Sequence, residues 1–342
     1  MPTDDANQSE TVSPAGDVPE VSIVLPVYNS QRYLAETIES ALSQTFTNFE
    51  LVAVDDESTD DSSDILKRYA DADSRVRILQ RSHGGIVAAR NEGMAAARGE
   101  FIAAMDHDDV MLPERLALQV AFLRAHPDCV AVGGAGLLID PEGDPLIERH
   151  HPTEPDEIEA ELFAGRNPII QPCVMIRRES VAAIGGYREQ CNFAEDYDLF
   201  LRLSDLGRLA NLPQVLIQYR QHMSRASHGH YQEQNHVLVA ALQEAYKRRG
   251  RSDFTAPTEF SWHPTTLSGF HVRCVNDALD GGNDRTARKH VLALFRTAPL
   301  SPRTYDLLAR TYLDRRLYGV VSFFKSLLRP LKAIGIGRDR SS

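Results

Sequence analysis

Residues 101–113, FIAAMDHDDVMLP, set Asp106, His107, Asp108 and Asp109 directly behind an apolar run. Carboxylates that close repel one another unless something neutralises them. In an extended strand, residues two apart share a face. Continued strand geometry would therefore point Asp106 and Asp108 the same way and His107 the opposite way. Paired carboxylates on one side suit a hard divalent cation such as Mg²⁺ or Mn²⁺, which keeps positions open for water and phosphate oxygens. The same residues also read as a solvated turn, with Asp108 or Asp109 capping the helix that follows Pro113.

The elements that must carry this cluster are legible from periodicity. VSIVLPVY (21–28) and FELVAVDD (49–56) are apolar runs of the kind expected for strands buried on both faces. Between them QRYLAETIESALSQT (31–45) repeats Leu34, Ile38, Ala41 and Leu42 at helical spacing. STDDSSDILKRYAD opens like a helix, VRILQ (76–80) is a third strand, and GGIVAARNEGMAAARG (84–99) is an Ala-rich helix that Gly99 should end. EFIAAMD is the fourth strand. This alternation predicts a doubly wound, Rossmann-like, mostly parallel sheet with helices on both faces, and ligands at the carboxyl ends of its strands. Those ends read PVYN, VDDES and MDHDD.

Past residue 112 the order changes to a helix (PERLALQVAFLRAHPD), two strands around a PEGD turn, a helix (PDEIEAELFAG), and a strand and helix (PCVMIRRESVAAIGGY). An amphipathic helix follows, EDYDLFLRLSDLG, with Leu199, Leu203 and Leu206 on one face, then a closing strand, LANLPQVLIQYRQH. From about residue 232 the pattern is helical. GGAGLLID lacks the third glycine of a dinucleotide loop and runs into a turn, so that reading is rejected.

Composition narrows the class. The 342 residues are 42% hydrophobic and 25% charged, with a net charge of −11, which argues against a general nucleic-acid footprint. The four cysteines form no CxxC pair, which argues against zinc and fits buried thiols in a reducing compartment. Residues 1–19 are polar and acidic, unlike a signal peptide, and read as a disordered leader. No apolar run approaches the roughly 20 residues of a membrane-spanning helix.

Three blocks taken together carry a resemblance. VSIVLPVYNSQRYLAETIESALSQTFTNFELVAVDDESTDDSSDIL, then GGIVAARNEGMAAARGEFIAAMDHDD, then FAEDYDLFLRL resemble the successive motifs of family-2 glycosyltransferases of the GT-A fold, over about residues 20–225. The resemblance implies an inverting enzyme that moves a sugar from a nucleotide-diphosphate donor, by default a UDP-sugar, to a hydroxyl of a glycan or lipid-linked saccharide. It implies that Pro26, Val27 and Tyr28 contact base and ribose, and that Asp56 accepts from a base N–H. Arg90 would lie close to the nucleotide, Asp106 would meet ribose or metal, and Asp108 would ligate Mn²⁺ or Mg²⁺. His222 would be a third metal ligand or polar surface. Asp196 would be the general base or the cap of its helix, and Glu195 and Asp198 should raise its pKa as like charges. One departure stands out: Glu57 occupies a position where the family commonly has glycine, which adds charge and removes backbone freedom.

The expected organisation is a leader (1–19), a GT-A domain (20–231) and a helical C-terminal region (232–342). Residues 267–313 resemble a single tetratricopeptide-like unit. The tail places Leu317, Val321, Phe324, Leu328 and Leu331 near one helical face among Arg and Lys, so 315–334 reads either as a membrane-surface helix or as one docked on the protein itself. The expected placement is cytoplasmic, with association at the inner face of the plasma membrane if the tail binds it; the resemblance alone implies an envelope or exopolysaccharide pathway. Rival readings are a non-catalytic sugar-nucleotide binder and a sugar nucleotidyltransferase, the latter disfavoured because PVYNSQRYL lacks a glycine-rich triphosphate loop.

Overall fold

The computed structural model describes residues 18–224, 231–257 and 266–313. The leader up to residue 17 and the basic tail from 314 onward lie outside the described residues.

The first half alternates as its periodicity predicts: β1 (Val21–Val27), α1 (Leu34–Leu42), β2 (Phe49–Asp55), α2 (Ser62–Ala72), β3 (Val76–Gln80), α3 (Ile86–Ala96) and β4 (Phe101–Ala104). A two-residue β5 (Val110–Met111) and α4 (Arg115–Ala125) lead to the long β6 (Cys129–Ile139) and β7 (Pro145–Arg149). Then come α5 (Pro155–Phe163), β8 (Met175–Arg177), α6 (Arg178–Ile184), α7 (Glu195–Leu203) and β9 (Arg208–Arg220). Four further helices are α8 (Tyr231–Arg248), α9 (Leu267–Asp280), α10 (Asp284–Thr297) and α11 (Pro302–Tyr312).

The nine strands among the described residues form one mixed sheet in the order β3-β2-β1-β4-β8-β6-β9-β5, with β7 paired to β6. The first four strands pair in parallel, whereas β8 runs antiparallel between β4 and β6. Every residue of β1, β2 and β4 is buried. One face packs on α1, α2 and α4 through Leu34, Ile38, Leu66, Leu116 and Val120. The other packs on α3, α5, α7 and α8 through Met94, Ile158, Leu162, Leu199, Leu203 and Leu242. At about 25 cal/mol per Å² of apolar surface removed from water, these two layers are the main stabilising contribution. Phe270, Cys274 and Ala278 of α9 and Ala287 of α10 pack on Leu138 and Leu146 of the β6–β7 hairpin. The four cysteines are all buried and unpaired.

Several local expectations are corrected. The α3 helix stops at Ala96, and Gly99 is not its terminator. A Cβ on Gly99 would lie 2.6 Å from the Ser22 amide nitrogen, so glycine is there for close approach to β1. Leu206 falls past the end of α7 and is 49% exposed, unlike buried Leu199 and Leu203. Neither Asp108 nor Asp109 caps α4, whose N-cap is Glu114. The strand ends at Ala104, so a turn rather than a continued pleat carries Asp106–Asp109.

Candidate active site

The carboxyl ends of β1, β2 and β4 are stitched together by polar contacts. The Asp56 amide donates to the Val27 carbonyl (2.9 Å), and Asn29 exchanges bonds with Ser58 and Thr59. Asp55, buried, accepts from the Ser58 amide and the Ser63 hydroxyl and so fixes its own loop. The non-glycine residues with positive φ among the described residues are Asn29, Glu57 and Phe193. They follow β1, follow β2 and precede α7, so backbone strain is concentrated around this end of the sheet.

Pro26 and Val27 are buried in β1, and Tyr28 is 44% exposed at its tip. The Tyr28 ring lies 4.4 Å from that of His83, centroid to centroid. Asp56 is buried, and four groups meet its two oxygens: the Gly84 amide (3.0 Å), the Gly85 amide (2.8 Å), the Arg81 guanidinium and His83 Nδ1 (2.9 Å). A carboxylate offers about four lone-pair sites. A base N–H can therefore reach Asp56 only by replacing one of these partners, and half-exposed His83 is the most displaceable. Glu57, at φ 64°, accepts from the His83 amide at 2.9 Å. The glutamate in the place of glycine thus ties the loop after β2 to the loop after β3.

The sequence blocks containing Arg90, Asp106 and Glu195 converge. Arg90, on α3 and nearly buried, donates from Nη2 to Asp106 (2.8 Å) and from Nη1 to Glu195 (2.7 Å), and its guanidinium lies 5.5 Å from the Tyr187 ring centre. Burial opposes its charge, but Asp106, Tyr187 and Glu195 outweigh that and raise its pKa further above the ordinary arginine value. Asp108 lies elsewhere: its Oδ2 is 2.7 Å from His222 Nε2, while His222 Nδ1 meets Ser224 Oγ at 2.9 Å. Buried Arg220 donates from Nε to the Asp108 carbonyl (2.8 Å), from its amide to Asp109 Oδ1 (2.8 Å) and from Nη2 to Glu36 (2.6 Å). Asp109, fully buried, therefore holds the turn to β9.

A carboxylate oxygen beside an imidazole nitrogen is a donor pair that suits Mn²⁺ well and Mg²⁺ less well. Among the described residues no three His, Cys, Asp or Glu side chains are grouped as a cage.

Asp196 sits in the first turn of α7, where the N-cap is Ala194, so it is not the cap. Its Oδ1 accepts from the Tyr197 amide (2.7 Å) and its Oδ2 from Asn167 Nδ2 (2.9 Å). Burial, then the charge of Glu195, push its carboxyl up to about 6 against the pull of the Tyr197 amide and Arg90. Asp198 was expected to share in this and does not. It is buried and committed to Arg188 and Arg202, whose charges neutralise it. Sequence reasoning also missed Asn167, His83 and Arg220 as parts of this site. A single Asn in a loop, or an Arg at the end of a strand, carries no local signal of its partner.

A model of glycosyl transferase family 2 matches residues 22–185. Over 208 residues the chain is 36% identical to a Bacillus subtilis protein described as glycosyltransferase EpsE, covering 59% of this chain and 73% of that one. It is 31% identical over 203 residues to the amylovoran biosynthesis glycosyltransferase AmsE of Erwinia amylovora, covering 58% and 75%. Among solved structures, S. aureus TarS residues 1–349 in complex with UDP superposes with a TM-score of 0.52 at 18% identity, covering 84% of this chain and 90% of that one. A Pyrobaculum calidifontis mannosyltransferase in complex with GDP-Man and Mn²⁺ superposes at 0.51 and 20% identity, covering 85% and 79%. These likenesses establish the shared GT-A fold.

Proposed function

The chain belongs to glycosyltransferase family 2, and from that premise we propose an inverting transfer from a nucleotide-diphosphate sugar, a UDP-sugar by default, to a hydroxyl of a glycan or lipid-linked saccharide. The observation that carries this reading is the placement of Asp196. Its carboxyl is raised to about 6, and Arg90 links the adjacent Glu195 to Asp106 at the end of β4. This arrangement supports Asp196 as a base beside the donor.

In the proposed reaction the acceptor oxygen attacks C1 of the sugar as the C1–O bond to the diphosphate breaks. The acceptor proton passes to an oxygen of Asp196, and a single displacement inverts C1. Pro26, Val27 and the exposed ring of Tyr28 would receive ribose and base, and Asp56 the base N–H. Asp108 and His222 would hold a divalent cation, Mn²⁺ or Mg²⁺, and Asp106, bound by Arg90, would meet the ribose. When bound, such a cation offsets charge on the departing diphosphate. The rest of the work is holding donor and acceptor in line.

The relation to AmsE, described as an amylovoran biosynthesis glycosyltransferase, supports a place in polysaccharide biosynthesis, in an exopolysaccharide or envelope pathway. No helix among the described residues is long and apolar enough to cross a membrane. For 315–334, which lie outside the described residues, peripheral contact with the inner face of the plasma membrane and docking on the protein itself stay as the two proposals.

The test is transfer and donor hydrolysis by wild type and Asp196→Asn, after a thermal-shift screen of nucleotides with Mn²⁺ identifies the donor class. Loss of about 10²–10⁴ in kcat with nucleotide binding retained is expected. Wild-type turnover by Asp196→Asn would remove Asp196 from its role.

A further inference from the structure

We propose that Asn167 is a positioning residue for Asp196, and that Asn211 and Gly133 aim it through a buried brace. The inference rests on the reading of Asp196 as the base. An asparagine amide can face a neighbour with either end, and its surroundings decide which. Here Asn167 Oδ1 accepts from the Ile169 amide at 3.2 Å, so the NH₂ end is the one presented to Asp196 Oδ2 at 2.9 Å. Pro168 follows directly and restricts Asn167 to extended backbone. The other Asp196 oxygen is taken by the Tyr197 amide. The carboxylate is thus gripped from both sides, once by its own helix and once by a separate loop.

That loop is fixed from the sheet. Asn211 on β9 is buried, and its Nδ2 donates to the carbonyls of Pro168 (3.0 Å) and Pro152 (2.8 Å), at the two ends of the segment that contains α5. Opposite Asn211 in the β6–β9 register is Gly133. A Cβ there would lie 2.2 Å from Asn211 Oδ1, so only glycine leaves the amide in place. The chain of contact runs from Gly133 to Asn211, to the Pro168 carbonyl, to Asn167 and so to Asp196. None of these four supporting residues bears a charge. Glu195 on α7 and Asp106 after β4 face Asp196 as like charges, Arg90 on α3 as the opposing one. Within that setting the Asn167 amide steadies the ionised carboxylate and orients it without making it too weak a base.

The test is the pH profile of kcat for wild type, Asn167→Ala, Asn167→Asp and Asp196→Asn in the full chain. Asn167→Ala should lower kcat about ten- to hundredfold, with donor KM changed about twofold or less. Its acid limb should also move to higher pH, because the ionised form has lost a donor. Asn167→Asp should move the limb further, and Gly133→Ala should reproduce part of the Asn167→Ala shift. An Asn167→Ala enzyme with wild-type kcat and acid limb overturns the proposal. So does one whose melting temperature falls while its limb stays in place, since that is a structural role alone. If Asn167→Ala does not fold by circular dichroism, Asn167→Ser and Asn211→Ala read the same limb. If Asp196→Asn turns over like wild type, the base assignment fails instead, which separates the two ideas.

Discussion

His222 Nε2 stands 2.7 Å from Asp108 Oδ2, although 114 positions separate them in the chain. Arg220, two residues before His222, places the pair by binding the Asp108 carbonyl and the Asp109 carboxylate together. If this pair grips the cation, His222→Ala should weaken Mn²⁺ activation about ten- to hundredfold, a usual cost of disturbing a metal site. The loss should be smaller with Mg²⁺, which depends less on imidazole. Titrating activity against each metal at saturating donor gives the answer. Superimposable wild-type and variant curves would take His222 out of the metal site.

The central charge of the site is Arg90, which serves two carboxylates from different elements, Asp106 after β4 and Glu195 on α7. Removing one member of a buried ion pair leaves the others uncompensated, at a cost of about 3–5 kcal/mol. Arg90→Met should therefore lower unfolding stability by about that much in urea. Arg90→Lys restores the charge but not the planar fork that reaches both partners, so it should recover only part of the loss. Equal stability of Arg90→Met and wild type would mean that the bridge contributes nothing.

At the junction with the C-terminal helices, fully buried Asp140 at the end of β6 meets His290 (2.9 Å) and Lys289 (2.5 Å) of α10. Burial works to raise its pKa, but the bonds from His290 and Lys289 win and bring it down to about 2. A depressed carboxyl stabilises the fold above its unfolded pKa, near 4, and that contribution fades as pH falls from about 4 to about 2. Asp140→Asn should therefore be less stable than wild type at pH 7, by about 2 kcal/mol. The two should converge near pH 2. Denaturant unfolding across that range is the measurement, and a constant gap down to pH 2 would contradict the ion-pair account.

How much of this was legible follows from where each signal resides. The runs at 21–27, 49–55 and 101–104 announced themselves because central parallel strands are buried on both faces and must be apolar throughout. The polar strand ends stood out against those apolar runs and so drew attention to the candidate site. Gly99, Asp109 and Leu206 misled because helix ends and turns are settled by neighbours distant in sequence: β1, Arg220 and the surface beyond α7. Asp198 misled more usefully. Two residues from Asp196 it looked like a repulsive neighbour, but a helix turns about 200° over that distance and delivers it to Arg188 and Arg202 instead. Asn167 was invisible, since its importance lies in a partner 29 residues away.

Glu57 offers a separation of strain from contact. Its φ of 64° costs a non-glycine residue about 1–2 kcal/mol, and its carboxylate recovers part of this through the His83 amide at 2.9 Å. Glu57→Gly relieves the strain and loses the bond, so its stability should stay within about 1 kcal/mol of wild type. Glu57→Ala loses the bond and keeps the strain, and should fall below Glu57→Gly by about 1 kcal/mol. Both variants release the His83 loop from the loop after β2. Both should therefore change nucleotide affinity to a similar degree even though their stabilities differ, because the His83 ring stands against Tyr28 and meets Asp56. Paired urea unfolding and nucleotide titration distinguish the two effects. Equal stability of the glycine and alanine variants would show that the backbone at Glu57 is not strained, and unchanged affinity in both would show that the cross-loop bond does not shape the base pocket.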